Sequence, residues 1–357
     1  MAIKRGVSLY CYQQEEFFGR MTWKDELKEV ATNLYGADGI EIINQCVIRD
    51  YPMPDEKFFY EWNNEMARWG LKAVTYDCYL DTLQFRDHVM TYDESAERLK
   101  YDLRIASRMG FSNMRLCHNV PIEVVSRALP LAEELDIRIT NEVHDPSPIK
   151  PKRGVVWGDT VARDVAFIRR TGTKHYGIQP DMSIFQNKPT RVMVAYSLRG
   201  FMDIDRAEAE SYELLNKYDE MDLESFMAMA KERYPYFFKP DANGWILGDI
   251  LFNRECADPL DLYDIIPYVY CIHGKFNEMT EIPGEPGHYE EKAIQYAEVI
   301  SILNDVGYDG YIDSEYEGQR SQQDMGYDRL PNEVEQVRRH QEMLKRLIED
   351  DTIKFKA

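Results

Sequence analysis

The sequence lacks the features that would place this chain in a membrane or on a nucleic acid. No segment approaches the roughly 18 consecutive apolar residues of a membrane span, and the first residues, MAIKRGVSLYCYQ, hold no apolar run long enough for a signal peptide. Acidic residues outnumber basic ones by 63 to 43, and the net charge of −20 would repel a phosphate backbone. We therefore expect a cytoplasmic protein with neither a nucleic acid nor a membrane as its partner.

Cysteine is scarce, and its spacing forms no recognisable pair. The chain of 357 residues has six cysteines, none of them in a CxxC arrangement, and five lie on or beside apolar, strand-like runs. This pattern is typical of buried thiols in a reducing compartment. We therefore expect six buried, reduced cysteines.

What the sequence does contain is a regular alternation of short apolar runs and amphipathic stretches. Eight runs rich in β-branched residues predict strands at 6–12, 39–44, 71–79, 113–119, 137–144, 175–183, 268–276 and 310–318. Helical patterns separate them, and one of these begins after Thr22, an expected N-cap, with Glu26 in its first turn. Glycines stand at the expected helix C-caps, at positions 110, 172 and 307.

This alternation predicts an α/β fold, a (β/α)8 TIM barrel, rather than a doubly wound sheet. The doubly wound alternative would need a GxGxxG fingerprint after an early strand, and none is present. A TIM barrel takes about 250 residues, so we place a helical insertion at 187–260, between strands six and seven. This insertion serves ordinary helix packing, a lid or a partner-docking surface. Because the chain has no linker, low-complexity tract or repeat, residues 1–357 are expected to form a single domain.

Polar side chains gather at the C-terminal ends of the last four predicted strands, where TIM barrels carry their functional groups. Strand five ends in ITNEVHDPSP, and Glu142 and His144 share a face because side chains two apart in an extended chain point the same way. Strands six, seven and eight end in GIQPDMS, CIHGK and IDSEYEG. The polar residues of these three ends are Gln179, Asp181, Ser183, His273, Lys275, Asp313, Glu315 and Glu317.

Four of these residues form a candidate metal site, made of Glu142, Asp181, His273 and Glu315. Acids crowded into one barrel mouth would repel one another, and a cation removes that cost. Three carboxylates and one imidazole suit one divalent cation such as Mn²⁺, Mg²⁺, Co²⁺ or Zn²⁺. His144 is left beside the metal, either as a general base or as a partner that orients Glu142.

These residues resemble those of the xylose-isomerase-like barrels, a family of sugar isomerases, epimerases and dehydratases. The matching features are GIEIIN on strand two, Glu142, Asp181, HGK at 273–275 and Glu315. The resemblance spans nearly the whole chain and is weakest over 187–260. It implies that the four matching positions hold one divalent metal, often Mn²⁺, and that in epimerases the glutamates of strands five and eight move protons.

Two departures from the epimerase pattern point to one branch of this family. An epimerase usually has a histidine three residues after the strand-six aspartate, where this chain has Ile184. The Glu-x-His pair of this chain, in turn, is not part of the usual epimerase pattern. NEVH with Trp157 downstream, and SEYEGQR at 314–320, look more like the α subunit of bacterial C-glycoside deglycosidases. That resemblance implies Mn²⁺, a small all-β second subunit in a hetero-oligomer, and cleavage of the carbon–carbon bond between a 3-keto sugar and an aromatic aglycone.

The implied reaction on an aryl C-glycoside in its 3-keto form gives roles to further residues. His144 is the candidate base for the proton on C2, Glu142 and Glu315 are the other catalytic groups, and the aryl carbon leaves by β-elimination. Lys275, His118 or Glu317 would assist its departure, a choice that the sequence leaves open. The expected pocket residues are Tyr10, Tyr76, His118, Lys275, Glu317 and Arg320.

Three other functions compete with this one. A sugar isomerase, epimerase or dehydratase acting on a free sugar or polyol would use Glu142 and Glu315 as its acid–base pair. A nuclease of the same fold would need several metals, many histidines and a basic groove, against seven histidines and a net charge of −20 here. A non-catalytic scaffold barrel would have no need of a complete set of metal ligands.

Overall fold

The computed structural model describes residues 3–117, 120–144, 149–150 and 159–350. The strands are β1 Lys4–Ser8, β2 Ala37–Ile43, β3 Lys72–Cys78, β4 Asn113–Leu116, β5 Arg138–Val143, β6 Tyr176–Pro180, β7 Cys271–Phe276, β8 Met279–Glu281, β9 Tyr289–Glu291 and β10 Tyr311–Tyr316. The α-helices are α1 Gln13–Phe17, α2 Trp23–Asn33, α3 Asn44–Val47, α4 Glu56–Trp69, α5 Tyr92–Arg108, α6 Ile122–Glu134, α7 Asp159–Thr171, α8 Arg191–Leu198, α9 Ile204–Glu220, α10 Leu223–Arg233, α11 Leu247–Phe252, α12 Leu262–Ile265, α13 Tyr296–Asp305 and α14 Glu333–Glu349.

Eight of these strands form one sheet that curves into a nearly closed barrel. The strands run parallel in the order β6-β5-β4-β3-β2-β1-β10-β7. The edge strands β6 and β7 approach each other through parallel bridges that join Ile178 to Val269 and Asp181 to His273. The predicted TIM barrel is therefore confirmed, with β10 as its eighth strand.

The two faces of each barrel strand have different partners. Along β2, Ile40 and Ile42 pack in the apolar core, whereas Glu41 between them points into the barrel and meets His273. Four of the helices that cover the outer face, α2, α4, α5 and α14, begin at side-chain caps. Thr22 and Asp25 form a capping box at α2, as predicted for Thr22. Because the apolar side chains of the strands pack toward the helices, polar side chains such as Glu41 face one another in the barrel interior.

Between β6 and β7 lie the helices α8 to α11, within the stretch expected to be a helical insertion. They enclose an apolar cluster of their own, which includes Leu198, Leu214, Phe226, Phe237 and Phe252. Arg199, the residue after α8, donates to the carbonyl oxygen of Ser321, and Arg191 Nη2 lies 2.6 Å from Glu278 Oε1. These contacts join the helices to the loops after β10 and β7.

The structure differs from the sequence-based expectations in the length of the first strand and in the burial of two cysteines. The first predicted strand, 6–12, ends at Ser8 because the chain continues as a 3-10 helix, Leu9–Tyr12, so that Tyr10 and Tyr12 do not alternate along a strand. The expectation of six buried cysteines is wrong for Cys46, which is exposed, and for Cys256, which is half-buried. None of the described helices is long and apolar enough to cross a membrane.

Exposed apolar side chains lie on the loops that follow three neighbouring strands, β1, β2 and β3. These side chains belong to Phe17, Phe18, Met53, Leu83, Phe85 and Val89. The loops stand at the C-terminal end of the barrel, because parallel strands all end there. We call this group the apolar loops.

Candidate metal centre

Three carboxylates converge on one nitrogen of His273 at the C-terminal end of the barrel. The imidazole Nδ1 lies 3.0 Å from Glu142 Oε1 and 3.2 Å from Glu315 Oε2. Asp181 Oδ2 is 3.6 Å from the same nitrogen. All four side chains are buried, and they come from β5, β10, the residue after β6, and β7. The structure therefore brings together the four residues that the sequence proposed as ligands.

The atoms of this cluster fit a divalent cation. An ion about 2.1 Å from each ligand atom can join atoms up to about 4.2 Å apart, and the three distances to His273 Nδ1 are shorter than that. Asp181 Oδ2 and Glu315 Oε2 are buried and accept no hydrogen bond of good geometry from the described residues. Carboxylate oxygen and imidazole nitrogen are ligands of Mn²⁺ and Zn²⁺. The buried acidic and histidine groups could therefore hold a metal ion.

Neighbouring cations keep the carboxylates of the cluster ionised. Burial opposes ionisation of Glu142, but Arg115 and His273 outweigh it and hold the pKa of this carboxyl well below its usual value. Burial acts in the same way on Asp181, and Lys275 leads the charges that lower its pKa. Both side chains are thus charged acceptors at neutral pH.

Burial and the neighbouring charges have opposing effects on the pKa of the His273 imidazole. Burial and the charge of Arg115 act to lower its pKa, but Glu315 and Glu41 outweigh them and raise it well above the usual value. A metal ligand must be the neutral imidazole, so a bound cation takes the place of one proton of the ring.

Behind the cluster lies a second layer of charged side chains from the middle of the barrel strands. Glu41 Oε2 is 2.7 Å from His273 Nε2. Arg115 donates from Nε to Asp77 Oδ1 at 2.6 Å and from Nη1 to Glu142. Glu41, Asp77 and Arg115 received no role from the sequence alone. Two of them, Glu41 in GIEIIN and Asp77 in VTYDC, are acids within apolar runs. Such an acid indicates a site, because a buried charge needs a partner.

Lys275 connects the cluster to the rim of the barrel. Its Nζ lies 2.6 Å from Glu315 Oε2 and 3.1 Å from Glu317 Oε1, and Arg320 pairs with Glu317. Burial, followed by the charge of Glu317, raises the pKa of Tyr10, which therefore lies close to this group. Four of the six expected pocket residues thus lie together beside the cluster.

His144 stands at the edge of the cluster and remains accessible. Its Nε2 is 3.9 Å from Asp181 Oδ2, and the side chain is 31% exposed, whereas that of Asp181 is fully buried. A group in this position lies beside the candidate metal centre and keeps part of its surface open to solvent. His144 therefore meets the geometric requirement for a proton acceptor beside the cluster.

One expected pocket residue, Tyr76, is not brought to the cluster. Tyr76 donates its hydroxyl hydrogen to Asp102 Oδ1 of α5 at 2.8 Å, on the outer face of β3, while the adjacent Asp77 faces the barrel interior. The prediction for Tyr76 is wrong because the alternation of the strand turns it toward the helices. His118, like Trp157 of the quoted motif, lies outside the described residues.

No protein-family model matches the chain. A C-glycoside deglycosidase alpha subunit from Arthrobacter globiformis is 25% identical over 362 residues, which cover 98% of this chain and 93% of the relative. A 3'-dehydrocarminate deglycosidase alpha subunit from a Microbacterium species is 24% identical over 324 residues, 88% of each chain. The curated relatives of this chain are thus deglycosidase alpha subunits. This part of the resemblance drawn from the sequence is confirmed.

Solved structures of sugar isomerases and epimerases share the fold. A sugar phosphate isomerase/epimerase from Parabacteroides distasonis is 12% identical, with a TM-score of 0.55 and coverage of 98% of this chain and 96% of that one. The IolI protein with a bound zinc atom is 10% identical, with a TM-score of 0.55 and coverage of 97% and 98%. At such identities the likeness shows the fold alone, which is the xylose-isomerase-like barrel. The deglycosidase relatives support an enzyme.

Proposed function

We propose that this chain is the metal-dependent catalytic α subunit of a C-glycoside deglycosidase, a carbon–carbon lyase acting on 3-keto aryl C-glycosides. One observation carries the proposal. An accessible histidine, His144, lies 3.9 Å from the cluster residue Asp181 in a chain whose relatives are deglycosidase alpha subunits. A barrel that only held a metal would not need an exposed imidazole there.

The residues that would hold the cation are Glu142, Asp181, His273 and Glu315, and Mn²⁺ is the proposed ion, with Mg²⁺, Co²⁺ or Zn²⁺ as alternatives. Such an ion supplies Lewis acidity, which stabilises negative charge on the ketone oxygen of a 3-keto sugar. The protein's own contribution is to fix the ligand atoms and to exclude water from them. All four ligand side chains are at most slightly exposed, which favours both.

His144 is the proposed base of the reaction. A ketone at C3 acidifies the hydrogen on C2, and the neutral imidazole takes this proton. The electron pair left on C2 then forms a double bond to C1. The bond between C1 and the aryl carbon breaks, its electron pair leaves with the aglycone, and the aryl carbon gains a proton. Glu142 and Glu315 take part in this reaction as ligands of the cation, and a role for them as an acid–base pair belongs to the alternative function.

Lys275 is the best-placed group to assist departure of the aglycone. Burial would lower its pKa, but Asp181, Glu315 and Glu317 raise it well above the usual value, so the ammonium keeps its charge. A fixed buried cation stabilises negative charge that develops on a leaving phenolate-type group. Glu317 holds this ammonium from the rim at 3.1 Å.

The charges of the site favour a substrate without phosphate. The three cations of the described part of the site are already paired with carboxylates. These pairs are Arg115 with Asp77 and Glu142, Lys275 with Asp181, Glu315 and Glu317, and Arg320 with Glu317. A phosphate would have to displace a carboxylate from one of them. A neutral glycoside therefore suits the site better than a sugar phosphate.

We further propose that a small β-rich second subunit completes the enzyme as a hetero-oligomer in the cytoplasm. The printed names of the relatives, which are alpha subunits, support a second subunit. The alternative function, an isomerase or epimerase working alone on free sugars, is favoured by one observation. Glu142 Oε1 and Glu315 Oε2 lie 3.0 and 3.2 Å from the same His273 nitrogen, so both glutamates stand at one site where they could act as an acid–base pair.

The deciding experiment combines metal analysis with a choice of substrates. The chain is purified without chelators, alone and together with the proteins encoded beside it. Release of aglycone from a 3-keto aryl C-glycoside and conversion of free ketoses are followed by chromatography. About one divalent ion per chain, together with aglycone release, supports the lyase. Conversion of free ketoses by the chain alone supports the alternative, and a chain that binds no divalent ion contradicts both.

A further inference from the structure

A carboxylate lies behind His273, on the side away from the metal cluster. Glu41 Oε2 is 2.7 Å from His273 Nε2, whereas His273 Nδ1 faces the three carboxylates of the cluster. Neither Glu41 nor His273 has any exposed surface. The two nitrogens of this buried ring therefore have different neighbours, Glu41 at Nε2 and the cluster carboxylates at Nδ1.

The barrel places Glu41 opposite His273. Glu41 is paired with Ser8 of β1 and with Thr75 of β3, and its neighbours Ile40 and Ile42 pack in the outer core. Strands β2 and β7 are separated in the sheet by β1 and β10, so the side chain reaches His273 across the interior rather than along the wall. This contact is a consequence of barrel closure.

Glu41 has few other strong contacts. Its Oε2 also accepts a hydrogen bond from Gln179 Nε2, at 3.4 Å, and its Oε1 accepts none from the described residues. A carboxylate buried with one short contact is costly to the folded state. That cost suggests a role in the short contact itself.

We infer that Glu41 is a positioning residue of the metal centre, which accepts the hydrogen on His273 Nε2 and so leaves Nδ1 as the nitrogen that binds the cation. A neutral imidazole carries its proton on one nitrogen only, and a carboxylate at that nitrogen fixes the tautomer, orients the ring and makes the other nitrogen a better ligand. The inference rests on the proposed function only in taking the cluster to bind a divalent cation.

The first test compares two substitutions of glutamate by glutamine. Glu41→Gln removes the charge at nearly constant volume, and Glu26→Gln does the same at an equally buried carboxylate in α2, outside the barrel. Mn²⁺ affinity is measured by competition with a chelator. We expect Glu41→Gln to bind about 10- to 100-fold more weakly and Glu26→Gln to bind like the unaltered chain. Unaltered affinity in Glu41→Gln would overturn the inference.

The second test does not require a metal. In the metal-free chain, a hydrogen on His273 Nε2 that is bonded to a carboxylate gives a downfield, slowly exchanging proton resonance in NMR spectra. It is assigned by its loss in His273→Gln. We expect this resonance in the unaltered chain and in Glu26→Gln, and its shift or loss in Glu41→Gln. Its absence from the unaltered chain would refute the contact. A chain that binds no metal but shows the resonance would refute the proposed function and leave the Glu41 contact established.

Discussion

His144 combines two properties that His273, at the same end of the barrel, does not share. It is 31% exposed and 3.9 Å from a carboxylate of the candidate metal centre, whereas His273 is fully buried among the ligands. A ligand needs burial and fixed geometry, but a base needs access to the substrate. The two imidazoles are therefore suited to different tasks.

We expect His144→Ala to keep the metal and to lose turnover by about a hundredfold or more, because general-base catalysis contributes that much. Metal content is measured by elemental analysis, and turnover by release of aglycone. His175→Ala is the matched control, since His175 pairs with Asp136 far from the cluster. Loss of the metal from His144→Ala would instead show that this imidazole is a ligand or an essential support.

Residues at strand ends could be predicted from the sequence, whereas those within strands could not. The polar residues of NEVH, QPD, HGK and SEYE interrupt apolar runs, so their positions reveal the site. Glu41 and Arg115 lie inside strands, where an alternation of side chains does not say which face is the barrel interior. The same ambiguity explains Tyr76, which was assigned to the pocket and faces α5 instead.

At the scale of the element, the closure between β6 and β7 depends on a missing side chain. A Cβ on Gly177 of β6 would lie 2.4 Å from the ring of Tyr270 and 2.6 Å from the carbonyl oxygen of Tyr268. The strand pair that brings Asp181 next to His273 can therefore form only with glycine at this position.

We expect Gly177→Val to destabilise the fold by about 1 to 3 kcal/mol, the usual cost of overpacking, and to weaken metal binding because the β6–β7 contact carries two ligands. The free energy of unfolding is measured in urea. Gly200→Ala provides the comparison, since the nearest atom to its Cβ is 3.5 Å away. A stable Gly177→Val variant with full metal affinity would show that the barrel seam adapts.

The packing of α14 against the barrel includes a buried, uncharged histidine. His340 Nδ1 is 2.8 Å from Ser314 Oγ, Nε2 is 2.9 Å from the Tyr296 hydroxyl, and the ring stacks on Phe276 at 4.1 Å. Burial lowers the pKa of His340 to about 3, against about 6.5 in an unfolded chain. Between these two values the unfolded chain binds more protons than the folded one.

Folding stability should therefore fall as the pH drops from about 6.5 toward 3. In His340→Gln this contribution is absent, so we expect a shallower loss of stability with acid than in the unaltered chain. Urea unfolding at pH 7.5, 6.5 and 5.5 measures both slopes. Equal slopes would mean that His340 is not the neutral group described here.

At the scale of the whole molecule, alternation of strands and helices was enough to predict the barrel. This prediction succeeds because each right-handed βαβ unit buries its strand between the helices and the barrel interior. A strand buried in this way appears in the sequence as a clear apolar run. The insertion was predicted only as surplus length with helical character. Its internal cluster and its contacts with Ser321 and Glu278 depend on distant parts of the chain. Periodicity carries no such information.

Removing the metal should lower the stability of the whole barrel. The cluster joins residues from four strands, and a ligand that binds only the folded state stabilises it by about 2.7 kcal/mol at a hundred times its dissociation constant. We expect a lower melting temperature after dialysis against EDTA, restored by Mn²⁺. The variant Glu315→Gln should show a smaller shift. A melting temperature indifferent to EDTA and Mn²⁺ would argue against a bound ion.

The apolar loops also determine how the chain behaves in solution. Their exposed side chains, among them Phe17, Met53 and Leu83, contrast with a surface that otherwise carries a net charge of −20. Salts such as ammonium sulfate screen that charge and strengthen apolar association. The chain without a partner over these loops should consequently bind a phenyl column more tightly than a chain in which they are covered, and such chromatography would separate the two forms without any assay of activity.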